Sequence, residues 1–472
     1  LLAGDSFAET AKAIDIIAAS GDPRASDILG ALADRRLFVA AGGVVVLRSR
    51  TGDLSSALDG AALKVAPDGM TPVRINNRLR GAIEIALGQL TLQSPDPKTR
   101  RMAALAIYKS RTAEGEAALG AALEREKDED IRIVQRLALA AIAATAPGRT
   151  DSDRLAAIAV LRDHGDREAL APLSLVASDA GPQVREAAAS AAAGIERRLA
   201  LWASAQNVWY GLSLGSVLLL AAIGLAITFG VMGVINMAHG EMVMLGAYVT
   251  FVVQDLIRSV APAWFNSSLA IAIPAAFLVA GLVGVAIERL VIRHLYGRPL
   301  ETLLATWGIS LILQQTVRTV FGPTNREVGA PGFMSGSFQL GLLEITWGRL
   351  WIVLFALLVF GAVLALLRFT SIGLDMRAVT QNRRMAASMG IRTGRVDALT
   401  FGLGSGIAGL AGVALSQIDN VSPNLGQSYI IDSFLVVVFG GVGNLWGTLV
   451  AALSLGIANK FLEPLAGAVL GK

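Results

Sequence analysis

The chain has no cysteine and only three histidines in 472 residues. Disulfides, thiolate metal sites and cysteine nucleophiles are excluded together. Charge is also scarce, at 17% against about 25% in an ordinary globular chain, while 54% of the residues are hydrophobic. The scarcity is uneven. Residues 1–200 hold 26 basic and 26 acidic side chains, whereas residues 201–472 hold 15 and 11, so the whole net charge of +4 belongs to the second part, as do all seven Trp. One uniform fold is excluded. The basic excess consists of single arginines among apolar runs, without a basic cluster interleaved with aromatics, which argues against nucleic-acid binding. Because the chain starts at Leu1 rather than Met, an N-terminal segment such as a signal peptide is expected to be missing.

Residues 1–200 read as a soluble, mostly helical domain. From Asp96 onward a unit recurs: Asp96-Pro-Lys-Thr-Arg100, Asp130-Ile-Arg132, Asp153-Arg154 and Pro182-Gln-Val-Arg185 each precede small apolar residues. A cap, a basic residue and then alanines at helical spacing suit short helices that bury a core only by stacking. The pattern is similar to HEAT-type repeats, although Ala-rich helices of any bundle imitate it. Residues 36–80 differ, with Leu37–Ala40 and Gly43–Leu47 reading as strands. His164, beside Asp163 and Asp166, reads as a solvated loop residue rather than a catalytic one.

Residues 201–472 read as a polytopic membrane domain. Apolar segments of spanning length run over Val208–Met232, Glu241–Ile257, Ser268–Val291, Leu300–Phe321, Leu350–Phe369 and Val396–Ile418. A last stretch, Tyr429–Phe461, is broken at Gly440–Asn444 and predicts a half-helix followed by a span. Arg289, Arg293 and Arg298 precede the fourth span, and Arg377, Arg383, Arg384, Arg392 and Arg395 precede the sixth. The positive-inside rule makes both loops cytoplasmic, which puts residues 1–200 outside the cytoplasm. Trp202, Trp209, Trp264, Trp347 and Trp351 then fall at the outer boundary as an aromatic belt.

Polar groups inside such segments are costly and face a cavity or one another. Gly233-Val-Ile-Asn236-Met-Ala-His239-Gly-Glu241 places an amide, an imidazole and a carboxylate between two apolar runs. Two readings stand: a binding site at a broken helix, or Asn236 and Glu241 capping two helices at a turn. A metal site is not supported by one His and one Glu. Thr306, Ser310 and Gln314 share one helical face, suited to a small neutral solute or to interhelical hydrogen bonds. Asp432 lines an outer mouth or caps a helix. Gly211/Gly215, Gly402/Gly406, Ala408/Gly412 and Gly443/Gly447 have the spacing of close helix contacts. The terminal Gly467–Lys472 is not a phosphate loop, since it lacks the spacing and the Ser/Thr after Lys. The segment about 373–395 reads as a short amphipathic helix, with Val379, Met385, Ala386 and Met389 available for contact with another protein.

Gly211–Ser216, the Gly233–Glu241 run, Ala386-Ala-Ser-Met-Gly390 and Phe439-Gly-Gly-Val-Gly443 together resemble the LivH-like permease subunits of branched-chain amino-acid ABC importers. Within that group the likeness is greatest to the urea importers, whose extra N-terminal domain fits Asn76–Arg80 and Ser94–Pro97. The resemblance implies a transport subunit that is not itself an enzyme. It also implies a second homologous permease, two cytoplasmic ABC ATPases that hold ATP and Mg, an external substrate-binding protein, and no cofactor on this chain. It implies a prokaryotic inner membrane location, and a further span beyond Lys472. On this likeness 377–394 is the coupling loop, with Arg377, Arg383, Arg384, Ala386, Ala387 and Gly390 meeting the ATPase, though Met385 stands where a Glu is usual. Asn236, His239, Glu241, Thr306, Gln314 and Asp432 are the pathway candidates for urea. Another small amide or a branched-chain amino acid is the alternative solute, and a membrane-anchored helical-repeat scaffold or sensor the alternative class.

Overall fold

The computed structural model describes residues 1–470 apart from 3, 5, 21, 23, 41–42, 50–51, 64–69 and 177–178. The chain gathers into two compact units, Leu1–Ala200 and Leu201–Lys472. The Gly467–Lys472 stretch runs into residues 471–472, which lie outside the described residues.

Unit 1 begins with α1 (Phe7–Ala19) and α2 (Ala25–Ala33), followed by β1 (Leu37–Val39), β2 (Val45–Arg48), β3 (Leu54–Ser56) and β4 (Thr71–Pro72). The strands form one antiparallel sheet in the order β3-β2-β1-β4, with Phe38 opposite Val46 and Pro72. Together with α3 (Asn77–Leu92), they enclose a core of Ile14, Leu29, Leu32, Leu37 and Ile83. The unit is therefore only partly helical, with strands where residues 37–47 lead one to expect them. Val39 and the run Val44-Val45-Val46 are β-branched, which favours a sheet here.

A second core follows, built by α4 (Pro97–Ser110), α5 (Glu116–Arg125), α6 (Glu129–Thr145), α7 (Asp151–His164), α8 (Leu170–Ser174) and the start of α9 (Pro182–Met232). Side-chain caps open three of these helices: Asp96 for α4, Asp128 for α6 and Thr150 for α7. The recurring arginine has a structural task. Arg100 binds Glu126 just before α6, and the buried Arg154 binds Asp179 just before α9, at 2.8 Å in both pairs. Each ties the first turn of one helix to the loop that leads into a later one.

Unit 2 takes up the rest of α9 and adds α10 (His239–Val260), α11 (Ser268–Leu290), α12 (Pro299–Phe321), the hairpin β5 (Ser337–Leu340) and β6 (Leu343–Thr346), α13 (Trp347–Phe369), α14 (Ser371–Gln381), α15 (Arg383–Ser388), α16 (Thr393–Leu415), α17 (Leu425–Gly440) and α18 (Leu445–Leu470). Among the described residues six segments are long and apolar enough to cross a membrane: Pro182–Met232, His239–Val260, Pro262–His294, Trp347–Phe369, Thr393–Leu415 and Leu445–Glu463. The architecture is an all-α polytopic membrane domain. α12 is as long as a span, but it is not among the six, because Glu301, Arg318 and a series of Thr, Ser and Gln dilute its apolar residues.

The first span is not a separate helix beginning at Val208. Leu199-Ala-Leu-Trp-Ala203 contains no breaker, so α9 continues through it. α16 is the hub of unit 2, buried along almost its whole length against α9, α10 and α11. Its glycines allow backbone to meet backbone. A Cβ at Gly412 would lie 2.0 Å from the Val243 carbonyl oxygen, and one at Gly404 would lie 2.5 Å from that of Gly224. On α9, Gly211 and Gly215 similarly receive α18 at Ile457 and Ala452. The break between α17 and α18 falls at Gly441–Asn444, where Gly441 and Gly443 have φ of 87° and 79°, values that glycine adopts freely. Trp347 and Trp351 lie beside the hairpin, against Phe338 and Phe333.

Candidate functional site

After α9 the chain reverses at Gly233, φ 65°, and residues 233–238 run back along the helix they have just left. One contact fixes this path: the His239 ring donates from Nε2 to the Ala221 carbonyl at 2.9 Å. Ala221 lies eleven residues before the end of α9, about 16 Å at 1.5 Å per residue. α10 therefore starts deep inside the unit rather than at its end, in the middle of the buried apolar run Val217–Ile227.

The returning segment is held by its own polar groups. Asn236 Oδ1 accepts from the Ala238 N–H at 3.0 Å, and the Met237 N–H donates to Thr306 Oγ1 on α12 at 3.1 Å. Glu241 Oε1 accepts from Ser310 Oγ at 2.9 Å and from Gln314 Nε2 at 2.8 Å. Thus the buried face Thr306/Ser310/Gln314 keys α12 to α10. Neither Asn236 nor Glu241 caps a helix: α10 has no side-chain cap, and Asn236 instead closes a local turn.

The site is not fully satisfied. Asn236 Nδ2, His239 Nδ1 and Glu241 Oε2 are buried and have no hydrogen-bond partner, although an unpaired buried polar group is expensive. Five pathway candidates, Asn236, His239, Glu241, Thr306 and Gln314, belong to this one network and its immediate surroundings. Asp432 does not cap a helix, because α17 begins seven residues earlier at Leu425. Toward the C-terminal end of α12 an apolar cluster of Met244, Tyr248, Val317, Val421 and Leu425 adjoins the network, with the Tyr248 and Phe321 rings 4.8 Å apart. Sequence reasoning missed this cluster, since its members come from four separate segments. Among the described residues no group of three or more His, Asp or Glu side chains is placed to hold a metal.

The segment 373–395 forms two short helices rather than one. Thr370 caps α14 and Asn382 caps α15, the latter bonding the Met385 N–H at 3.0 Å. Arg383 is turned inward. It forms an ion pair with the buried Asp397 of α16, stacks on Tyr296 at 4.0 Å, and donates to the Tyr296 hydroxyl. Burial, with the Asp397 carboxylate second, pushes the Tyr296 phenol up to about 12. Ala386 is buried beside Met376, Val379 and Val396, and Arg377 binds the Leu367 carbonyl. Arg383 and Ala386 therefore hold the loop to the bundle. Arg384, Met385, Ala387, Met389 and Gly390 remain exposed. Between α9, α14 and the α17–α18 turn lies a groove of about 600 Å³, lined by Val231, Leu367, Arg377 and Leu445.

A broken-helix polar network inside a bundle of apolar helices defines a polytopic permease-like membrane protein. Comparison with known proteins makes this specific: residues 207–470 match the family described as branched-chain amino acid transport system / permease component, and the chain belongs to that family. Among its relatives is the high-affinity branched-chain amino acid transport system permease protein LivH of Escherichia coli (strain K12), 33% identical over 265 residues that cover 54% of this chain and 84% of LivH. The high-affinity branched-chain amino acid transport system permease protein BraD of Pseudomonas aeruginosa is 31% identical over 54% of this chain and 85% of BraD. A probable LivH of Methanocaldococcus jannaschii is 27% identical over 52% and 77%. No solved structure matches the chain. The family match begins at residue 207 and so leaves unit 1 outside it.

Proposed function

We propose that this chain is the membrane-spanning permease subunit of an ATP-binding-cassette importer that carries urea across the inner membrane. The observation that carries the reading is the deep network of amides, hydroxyls and one carboxylate at Glu241, set in a chain of the permease family. Energy comes from two cytoplasmic ATPases, which hold ATP and Mg. An external binding protein delivers the solute, and a second homologous permease completes the path. Urea needs hydrogen-bond donors and acceptors rather than a counter-ion, which agrees with the partnerless Asn236 Nδ2 and the largely uncharged groups around it. The test is ATP hydrolysis by the reconstituted complex with and without urea, together with competition of labelled urea uptake. Stimulation by urea supports the reading, and displacement by leucine but not by short amides overturns it.

The second reading, a branched-chain amino acid as solute, is favoured by the family's description and by the names of LivH and BraD as branched-chain amino acid permeases. The family membership gives no support to an anchored scaffold or sensor. Unit 1, with its HEAT-like helices, is proposed to lie outside the cytoplasm and to dock the binding protein. Deletion of residues 1–200 with unchanged uptake would remove that role. The 377–394 segment is proposed as the coupling loop, with Arg384, Met385, Ala387 and Gly390 as the surface offered to the ATPase and Arg383 as its anchor. Arg384→Glu should uncouple hydrolysis from uptake while the subunit still accumulates in the membrane.

A further inference from the structure

The buried face of α12 is explained by Glu241; its opposite face is not. Gln315 and Thr319 stand one turn apart on the exposed side of α12, and Gln427 and Ser428 are exposed on the first turn of α17. The two helices are joined where Arg318 binds Asn424, and where Val317 packs with Leu425. Gln315 and Gln427 are not at the end of the unit. Gln315 follows Gln314, which bonds Glu241, and Gly426, next to Gln427, has its carbonyl oxygen 2.4 Å from where a Cβ on Gly240 would be. Both therefore stand near the depth of Glu241.

Hydrocarbon does not tolerate such a surface. Exposed positions in the unit are otherwise what lipid demands: Leu354, Leu357 and Leu358 on α13, Ile271, Leu278 and Leu282 on α11, and on α12 itself Leu304 and Ile312, against which Gln315 and Thr319 stand out. Thr319 satisfies its own hydroxyl on the Gln315 carbonyl at 2.8 Å, but a glutamine amide has no such local recourse, and unpaired amides facing acyl chains are strongly disfavoured. We infer that the joined face of α12 and α17, carrying Gln315, Arg318, Thr319, Gln427 and Ser428, is the wall of a water-filled solute route, and that these amides and hydroxyls are the hydrogen-bonding groups it offers to a small uncharged solute. The inference rests on the permease reading. It differs from the sequence-derived choice of Thr306 and Gln314, which lie on the other side of the same helix.

The absence of cysteine makes the test clean. Single variants Gln315→Cys, Thr319→Cys, Gln427→Cys and Ser428→Cys, with Leu358→Cys and Leu282→Cys as lipid-facing controls, are made in the full chain. They are expressed with its partner subunits in membranes opened on both sides, and reacted with a charged, water-soluble methanethiosulfonate. A thiol reacts as its thiolate, which requires water, so the four polar positions should react at least roughly tenfold faster than the controls. Rates as slow as the controls would overturn the wall, and so would fast reaction on α12 or α17 alone. Any variant that fails to accumulate is represented by its partner on the same helix. The solute is read separately, by adding urea. Fast labelling that urea does not slow upholds the wall and counts against urea as its cargo.

Discussion

The two units stack helices by different means. In unit 1 the helices from Pro97 onward meet through alanine, leucine and isoleucine side chains, such as Leu119, Leu137, Ala141 and Leu161, with Arg100 and Arg154 tying the turns. In unit 2 the contacts around α16 are backbone on backbone through Gly224, Gly246, Gly404, Gly409 and Gly412. In water, burying apolar side chains is itself the driving force. Between helices in lipid that force is absent, and close van der Waals contact with interhelical hydrogen bonds takes its place. The difference teaches where each unit is vulnerable: unit 1 to lost side-chain volume, unit 2 to added volume or a lost polar partner.

The largest effect should come from Gly412→Leu. Its Cβ alone would fall within 3.0 Å of three backbone atoms of Val243 and Ala247, neither of which can move without displacing α10. We expect the subunit to disappear from the membrane fraction, while Gly361→Leu, where nothing lies within 4 Å, accumulates normally. Equal accumulation of the two variants would break the contrast. In unit 1 the corresponding injury is a cavity. Leu137 is 3% exposed, and Leu137→Ala should cost about 2–5 kcal/mol, seen as faster hydrogen exchange along α6 with α10 and α16 unaffected.

The polar version of the comparison is smaller. Glu241→Ala leaves the Ser310 hydroxyl and the Gln314 amide without their acceptor, a loss of about 1–3 kcal/mol for each buried group left unpaired. Glu241→Gln keeps an oxygen for both and should restore most of the thermal stability. If Ala and Gln variants were equally destabilised, the network would be incidental to how α12 is held.

How far the sequence reaches depends on whether a signal is local. Spanning segments, the break at Gly441–Asn444 and strands β1 and β2 follow from runs, glycines and β-branched residues within a few positions, and each is legible. The Asn236–Glu241 motif is legible as a set of polar groups in an apolar setting. Its depth is not, because nothing near residue 239 announces that its ring reaches Ala221. Arg383 looks like any topogenic arginine, and its inward turn depends on Asp397 and Tyr296, fourteen and eighty-seven residues away. On α12, periodicity picks out the Thr306/Ser310/Gln314 face, but only packing shows that it meets Glu241.

The smallest effect expected is a pH dependence confined to unit 1. Glu126 accepts from Arg100 Nε at 2.8 Å and Nη2 at 2.9 Å, while Arg100 Nη1 donates to the Ser94 carbonyl at 2.9 Å. The Arg100 hydrogen bonds hold the Glu126 carboxyl below its ordinary value. A lowered folded-state pKa contributes stability that is fully present above the unfolded value, about 4.3 for Glu, and is lost as pH falls through the folded one. Hydrogen exchange at the turns before α4 and α6 should therefore quicken as pH drops below about 4.3, beyond the intrinsic change in exchange chemistry, by an amount equivalent to about 0.2–1 kcal/mol, as befits an ion pair near the surface. Arg100→Met should remove the dependence and leave α10 and α16 as they were. A dependence that survives the substitution would mean that burial of the alanine faces alone sets the register of these helices, and that the recurring arginine contributes nothing to it.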